Sequence, residues 1–297
     1  MTEGIILSTS SGYDWEKVRP WAMSALETGH HATAIFMNGE PDTLQACASA
    51  GVEARNIPVQ YKKFVRDNIP WLFEHLYLKT DVPHARFVPH NLRFLYQYRY
   101  LNEVSERFKN AIITDSRDVF FTTDPFPLIE ELQAKTGSAI LCGSECLDYA
   151  HEKWGAWNLR KSFPYVHEEY LSKEIANVGV ICGDTRKLAE LCLLIFTMCI
   201  FNPATFADQS SFNVLHGMSL LEKDIHMCRP SDGLVVHLGT VGPTEKQGEF
   251  EPHLTEKPPR IAGGLPVTPA GELFPIVHQY DKVPAIQHKL LSLLDKK

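Results

Sequence analysis

Apolar and polar positions alternate in two periods along this chain. The run "GIILSTS" (residues 4–10) is continuously apolar before it turns small and polar, the pattern of a buried strand. "YDWEKVRPWAMSALETG" (13–29) has helical spacing and closes on Gly29, and Pro20 is expected to confine its regular part to the residues after 19. "ATAIFMN" (32–38) is a second strand, "PDTLQACASAG" (41–51) a helix stopped by Gly51, and "VEARNIPV" (52–59) a third strand. This order predicts a parallel sheet with crossover helices.

Residues 61–92 carry many aromatic and basic groups without either period, and read as irregular. "LRFLYQYRYLNEVSERF" (92–108) is an amphipathic helix that leads into the strand "AIIT" (111–114). A helix at 127–137, strands at 138–143 and 177–184, and the apolar helix "LAELCLLIFTMCIF" (188–201) follow. Prolines and glycines crowd 229–275, so that region is expected to be loop with short strands such as "GLVVHLG" (233–239), and the tail 283–297 ends as a helix. No fixed repeat and no clean linker divides the chain. The pattern predicts one α/β domain with a mostly parallel central sheet and an elaborated C-terminal region.

Composition narrows the class. The 297 residues are 44% apolar and 22% charged, ordinary for a globular protein. A net charge of −7 argues against gripping nucleic acid through a broad basic face, while leaving room for a local phosphate pocket. The start lacks the basic flank and long apolar core of a signal peptide. The apolar helix is shorter than the roughly 20 residues needed to span a bilayer, so no membrane span is expected. Seven cysteines in mostly apolar surroundings suit reduced thiols, and a cytoplasmic location is the expectation. Cys142 and Cys146 find no second pair at zinc spacing, so no structural zinc is expected.

The chemistry concentrates in "AIITDSRDVFFTTDPF" (111–126). Ligands bind beyond the carboxyl ends of strands in such sheets, and Asp115 stands at one of those ends. Residues three apart on a strand face opposite sides, so Asp115 and Asp118 converge only if a tight turn joins them. Asp115 then shapes the turn and Asp118 points into the crevice, where a divalent ion takes one or two carboxylates with phosphate oxygens and water. A solvated turn with an internal Asp–Arg pair is the competing reading. Asp124 reads as the turn before Pro125.

With its flanking segments, this stretch resembles GT-A glycosyltransferases, which use a nucleotide-sugar donor and a divalent ion held by a "DxD" motif after a central strand. It is most similar to a set of bacterial and related glycosyltransferases with an apolar strand, "D-x-R-D-V", an aromatic and then "DPF". "STSSGYDWEKVRPWAMSALETG" looks like the strand and helix of the nucleotide pocket, while "ANVGVICGDTRKLAEL", "ADQSSFNVL" and "PIVHQYDK" look like the acceptor-side strand, a following acid and a C-terminal metal histidine. The resemblance implies a nucleotide-binding half at 1–126 and an acceptor-side half with a metal-binding segment at 127–297. This chain reads "DSRD" where the family has "DxD", which leaves Asp115 as metal ligand, ribose contact or brace of the turn.

The resemblance also implies individual roles. His278 joins Asp115 and Asp118 on Mn²⁺ or Mg²⁺, against a plain reading as a core histidine. His237 in "LVVHLGT" competes for that place, echoing the metal histidine of glycogenin-like transferases, and His278 is the closer match. Lys282 neutralises the leaving diphosphate, or is a solvated lysine. Ser10, Ser11, Gly12 and Tyr13 line the nucleotide pocket, with Tyr13 stacking on a base, against a plain turn with a tyrosine at the core's edge. Arg93 serves a diphosphate or braces a carboxylate, against a surface pair with a helix carboxylate. Asp208 and Gln209 approach the sugar or acceptor as catalytic candidates, while capping of a helix start is the alternative for Asp208. Asn177 and Gly179 bring backbone near the sugar, with simple turn chemistry as the alternative. The implied activity is sugar transfer from a nucleotide-diphosphate sugar to a hydroxyl acceptor, with retention as in glycogenin-like enzymes. A sugar nucleotidyltransferase and a non-catalytic nucleotide- or glycan-binding module are the rival readings.

Overall fold

The structure is a computed structural model that describes residues 4–59, 89–200, 202, 204, 206–218, 221 and 223–295. It opens with β1 (Ile5–Ser11), α1 (Trp15–Glu27), β2 (His31–Met37), α2 (Pro41–Ala50) and β3 (Glu53–Ile57). Next come α3 (Pro89–Val104), β4 (Asn110–Thr114), β5 (Val119–Phe121), α4 (Phe126–Thr136) and β6 (Ile140–Asp148). The chain continues through α5 (Lys153–Ser162), β7 (Glu174–Asp184), α6 (Thr185–Ile200), α7 (Asp208–His216), β8 (Ile225–Cys228) and β9 (Val235–His237). It closes with β10 (Arg260–Ala262), β11 (Leu265–Val267), β12 (Ile276–His278) and α8 (Pro284–Leu294), and single-turn helices fill some of the connections.

The fold is mixed α/β. Seven strands form the main sheet in the order β3-β2-β1-β4-β7-β6-β8, and only β7 runs against its neighbours. Period-two alternation on β1 sends Ile5 and Leu7 to one face and Ile6 to the other. The first face packs under α3 and α6 through Phe94, Leu101, Leu188 and Ile195; the second packs under α1 and α4 through Trp21, Ala25, Ile129 and Leu132. Burial on both faces explains why these strands read as unbroken apolar runs. Trp21, fully buried, also donates from Nε1 to Thr114 Oγ1 at 2.8 Å and ties α1 to the end of β4.

Several sequence expectations shift. Helix α1 is regular from Trp15 straight through Pro20, because Asp14 caps Lys17 N at 3.1 Å and the carbonyl that Pro20 cannot serve belongs to exposed Glu16. The segment expected to be irregular, 61–92, falls outside the described residues as far as 88, but 89–92 form the first turn of α3, with Pro89 at its first position. Strand β6 runs five residues past its expected end at 143, through a register shift against β7 and past Cys146, whose φ is 54°. All seven cysteines are free thiols in the core.

A second, three-stranded sheet sets up the functional geometry. β12 pairs antiparallel with β5 and parallel with β9, placing His278 beside both Val119 and His237. Residues near 119, 236 and 277 thus lie side by side in a sheet separate from the main one.

Candidate functional site

β1 and β4 run side by side in parallel, so the chain leaves both at the same carboxyl edge. Beyond β4 the backbone bends at residues 116–118, and Asp115 and Asp118 converge. Asp118 leads directly into β5, whose Val119 is the register partner of His278. His278 Nε2 then lies 3.9 Å from Asp115 Oδ2 and 3.8 Å from Asp118 Oδ1. One ligand atom from each of the three side chains falls within 4.8 Å of the others.

Each carboxylate is divided between two tasks. Asp115 accepts from Arg93 Nη1 on Oδ1, and Asp118 accepts from Arg117 Nη2 on Oδ2 at 3.3 Å. The oxygens left over, Asp115 Oδ2 and Asp118 Oδ1, are the two turned toward His278. Burial pushes the Asp118 carboxyl up, opposed by His278 and reinforced by the Asp115 charge. At Asp115 burial works the same way, but Arg93 and His278 outweigh it and hold the carboxyl below its ordinary range.

His278 Nε2 is itself buried and, among the described residues, without a hydrogen-bond partner. An orphaned imidazole nitrogen facing two carboxylate oxygens is a donor set that fits a divalent ion: the oxygens suit Mg²⁺ or Mn²⁺, and the nitrogen favours Mn²⁺. Gly179 is cut to the same shape. A Cβ there would stand 2.3 Å from His278 Cε1 and 2.7 Å from Nε2. The fixed turn after His278 adds to the constraint, since Gln279 adopts φ 53° and its backbone N–H donates to Asp118 O at 2.7 Å.

Two cavities meet at Asp115. The smaller, about 250 Å³, is lined by Thr9, Ser11, Tyr13, Arg117 and Asp118 together with Arg93. The larger, about 830 Å³, is lined by Asn177, Gly179, Asp208, Gln209, His278 and Lys282 among others. His90, Arg93 and Asp115 line both.

The sequence-derived residues distribute as follows. Ser11 and Tyr13 face the smaller cavity, but the hydroxyl of Ser10 is turned away and bonded to Ser116 Oγ at 2.5 Å. Strand alternation is the reason. Gly12, with φ 69°, supplies the bend after β1 and lines neither cavity. Arg93 lies inside α3 rather than before it; it is buried and joins Asp115 to Asp208, to which Nη2 donates at 3.0 Å. Asp208 therefore caps nothing: it is the first residue of α7, and its carboxylate is committed to Arg93. Gln209 Nε2 donates to Glu145 Oε1 at 2.9 Å. Lys282, half exposed on the cavity rim, sits 3.9 Å from Asp281 Oδ2. His237 does not join the trio; it stands behind His278, with the two Nδ1 atoms 3.0 Å apart. Asp124 accepts from Phe126 N at 3.0 Å, closing the turn before α4.

No protein-family model matches the chain, and no curated protein sequence does. Among solved structures it is similar to mouse xyloside xylosyltransferase 1 in the apo form, with 13% identity over 93% of this chain and 96% of that one and a TM-score of 0.49. It is also similar to glucosyl-3-phosphoglycerate synthase from Mycobacterium tuberculosis, solved with Mn²⁺, UDP and glucosyl-3-phosphoglycerate; there the identity is 11%, the coverage 77% and 70%, and the TM-score 0.42.

Glu145 is the residue that sequence reading passed over. It lines the larger cavity from the extended part of β6, where both Asn177 Nδ2 and Gln209 Nε2 donate to its Oε1 at 2.9 Å. Burial raises its carboxyl to about 7, even though both amides pull the other way. The signal in the sequence was an acid inside "CGSECL", a stretch otherwise apolar or small. Trp154 and Phe206, both about half exposed, flank the same cavity. Among the described residues a second trio, His226, Cys228 and Asp232, also falls within 4.8 Å; its Asp232 already accepts from Arg229 N at 3.1 Å and closes a turn. No helix among the described residues is long and apolar enough to cross a membrane.

Proposed function

We propose that this chain is a metal-dependent glycosyltransferase that moves a sugar from a nucleotide-diphosphate sugar to a hydroxyl acceptor. The observation that carries the reading is the orphaned, buried His278 Nε2 facing one free oxygen each of Asp115 and Asp118, at the junction of two cavities. Asp115, Asp118 and His278 would hold the ion, with Mn²⁺ preferred for the imidazole donor. When bound, it supplies the positive charge that offsets charge building on the diphosphate leaving group.

The chain's own groups fit the remaining tasks. Tyr13 offers an aromatic face at the smaller cavity, where the nucleotide base is proposed to sit. The larger cavity has the size usual for a small-molecule site, and its Asn177, Gln209 and Glu145 offer hydrogen bonds to sugar hydroxyls. Lys282, which lines the larger cavity, would meet phosphate oxygens. Retention of anomeric configuration is part of the proposal, on the resemblance of Asp208–Gln209 and the C-terminal histidine to glycogenin-like enzymes. The paucity of glycine after β1, one residue in "STSSGYDWEK", disfavours the nucleotidyltransferase alternative.

The test is a panel of nucleotide sugars with Mn²⁺, scored by donor hydrolysis and thermal shift, alongside Asp118→Ala. At least one donor should bind and be cleaved, and Asp118→Ala should lose turnover by on the order of a thousandfold. If no donor is bound or cleaved with any divalent ion, the transferase reading fails. Proton NMR of the first product formed tests retention separately, since an inverted anomer removes that part alone.

A further inference from the structure

His237 has no task in the proposed transfer and Glu145 only the sugar-facing one given above, yet both are buried, both line the larger cavity and both lie in line with His278. His237 Nδ1 is 3.0 Å from His278 Nδ1, and on its other side His237 Nε2 is 4.0 Å from Glu145 Oε1. A carboxylate, one imidazole and a second imidazole thus run in file toward the pair of aspartates. The register of β9 and β12 enforces the first step, because His237 and His278 are direct strand partners.

Hydrogen-bond accounting fixes how protons stand along this file when an ion occupies the site. A ring nitrogen that ligates must offer its lone pair, so His278 Nε2 carries no proton and the neutral ring carries it on Nδ1. That N–H points at His237 Nδ1, which must then accept. The proton of His237 consequently stands on Nε2, the atom facing Glu145. Glu145 Oε1 lies 4.0 Å from that nitrogen, beyond hydrogen-bond length, and is the acceptor on that side, while Asn177 Nδ2 stands 3.5 Å from the same nitrogen. Gly179 N–H donates to Asn177 Oδ1 at 2.7 Å, which settles the orientation of that amide and leaves Asn177 Nδ2 to donate to Glu145 Oε1. Gln209 donates to the same oxygen, so the carboxylate is held by two amides from two different elements.

We infer that His237 and Glu145 form an outer support for the metal site: His237 selects the tautomer of His278 that can ligate, and Glu145 anchors His237 in the opposite orientation. Both are positioning residues. The inference rests on the metal reading of Asp115, Asp118 and His278, and it gives the more conspicuous histidine of "LVVHLGT" a role that is not ligation. Outer partners of a ligating histidine typically govern a ten- to hundredfold range of metal affinity.

The experiment is Mn²⁺ titration by calorimetry on wild type, His237→Phe and Glu145→Gln, with folding checked by circular dichroism without metal. His237→Phe keeps a ring of similar size and removes both nitrogens; its Mn²⁺ Kd should rise at least tenfold, with a smaller rise for Glu145→Gln. In parallel, imidazole ¹H–¹⁵N spectra of wild type with Cd²⁺, a diamagnetic ion that accepts imidazole, should show protons on His278 Nδ1 and His237 Nε2. That readout does not depend on any variant folding. An unchanged Kd in folded His237→Phe, or a proton on His237 Nδ1 in the Cd²⁺ complex, overturns the inference. Wild type that binds no Mn²⁺ overturns it together with the metal reading, whereas Mn²⁺ binding without donor cleavage leaves it standing while the transferase reading falls.

Discussion

Arg93 Nη2 donates to Asp208 Oδ2 at 3.0 Å, both side chains being nine-tenths buried. The same guanidinium holds Asp115, so one residue of α3 fixes a carboxylate from each half of the chain. Removing the cation strands Asp208 without a partner, which typically costs about 3–5 kcal/mol. Arg93→Met should therefore lower the unfolding midpoint by on the order of 10 °C. The double variant Arg93→Met/Asp208→Asn should recover much of that loss. Additive losses in the double variant would mean that the pair is not coupled.

Glycine at 179 is required by its neighbours rather than by its backbone. In Gly179→Ala the new methyl meets His278 Cε1 at 2.3 Å and Nε2 at 2.7 Å, so the ring must leave its present position. Mn²⁺ affinity should fall at least tenfold with a modest loss of stability, about 1–3 kcal/mol. Wild-type affinity in a folded Gly179→Ala protein would remove His278 from the ligand set.

Burial raises the Glu145 carboxyl from 4.5 to about 7. The folded state therefore keeps a proton that the unfolded chain has already lost, and this group's contribution declines as pH climbs from about 4.5 to about 7. Glu145→Gln has no such decline. Chemical denaturation at a series of pH values should show the variant gaining on wild type across that interval, by on the order of 3 kcal/mol. Parallel curves would contradict a raised carboxyl.

Glu53 runs the other way. Burial raises it, but hydrogen bonds from His31, Arg55 and Tyr100 outweigh burial and take it from 4.5 to about 2. Its contribution is complete above 4.5 and is lost as pH falls through about 2. With nearly a third of the side chain exposed, solvent screening limits the effect to about 1 kcal/mol. Thermal melts of Glu53→Gln against wild type should differ at pH 7 and converge by pH 2; a constant gap would sink the assignment.

Much of the scaffold was legible from local pattern. The β-α-β-α-β opening and the strand before Asp115 follow from runs of apolar residues that bury both faces, with glycine stops. The acidic turn was legible too, since residues bending at 116–118 are what lets Asp115 and Asp118 meet. What could not be read was register. Whether His237 or His278 faces the aspartates depends on the pairing of β5, β12 and β9, elements three residues long and far apart in sequence. Ser10 illustrates the same point on a smaller scale, as neighbouring Ser11 takes the cavity side. Glu145 stayed hidden because its strand continues through an irregular register that no period announces.

The three-stranded sheet has a consequence for the order in which function arises. The main sheet can gather β1, β2, β3 and β4 from the first half of the chain, but His278 reaches the aspartates only once β12 has slotted between β5 and β9. Closing that loop joins residues more than 150 positions apart, a contact that is entropically late to form. A chain growing from a ribosome, or one cut short before β12, would carry both aspartates and much of the smaller cavity, yet lack the imidazole. On the proposed ligand set, metal capture would await the pairing of β12.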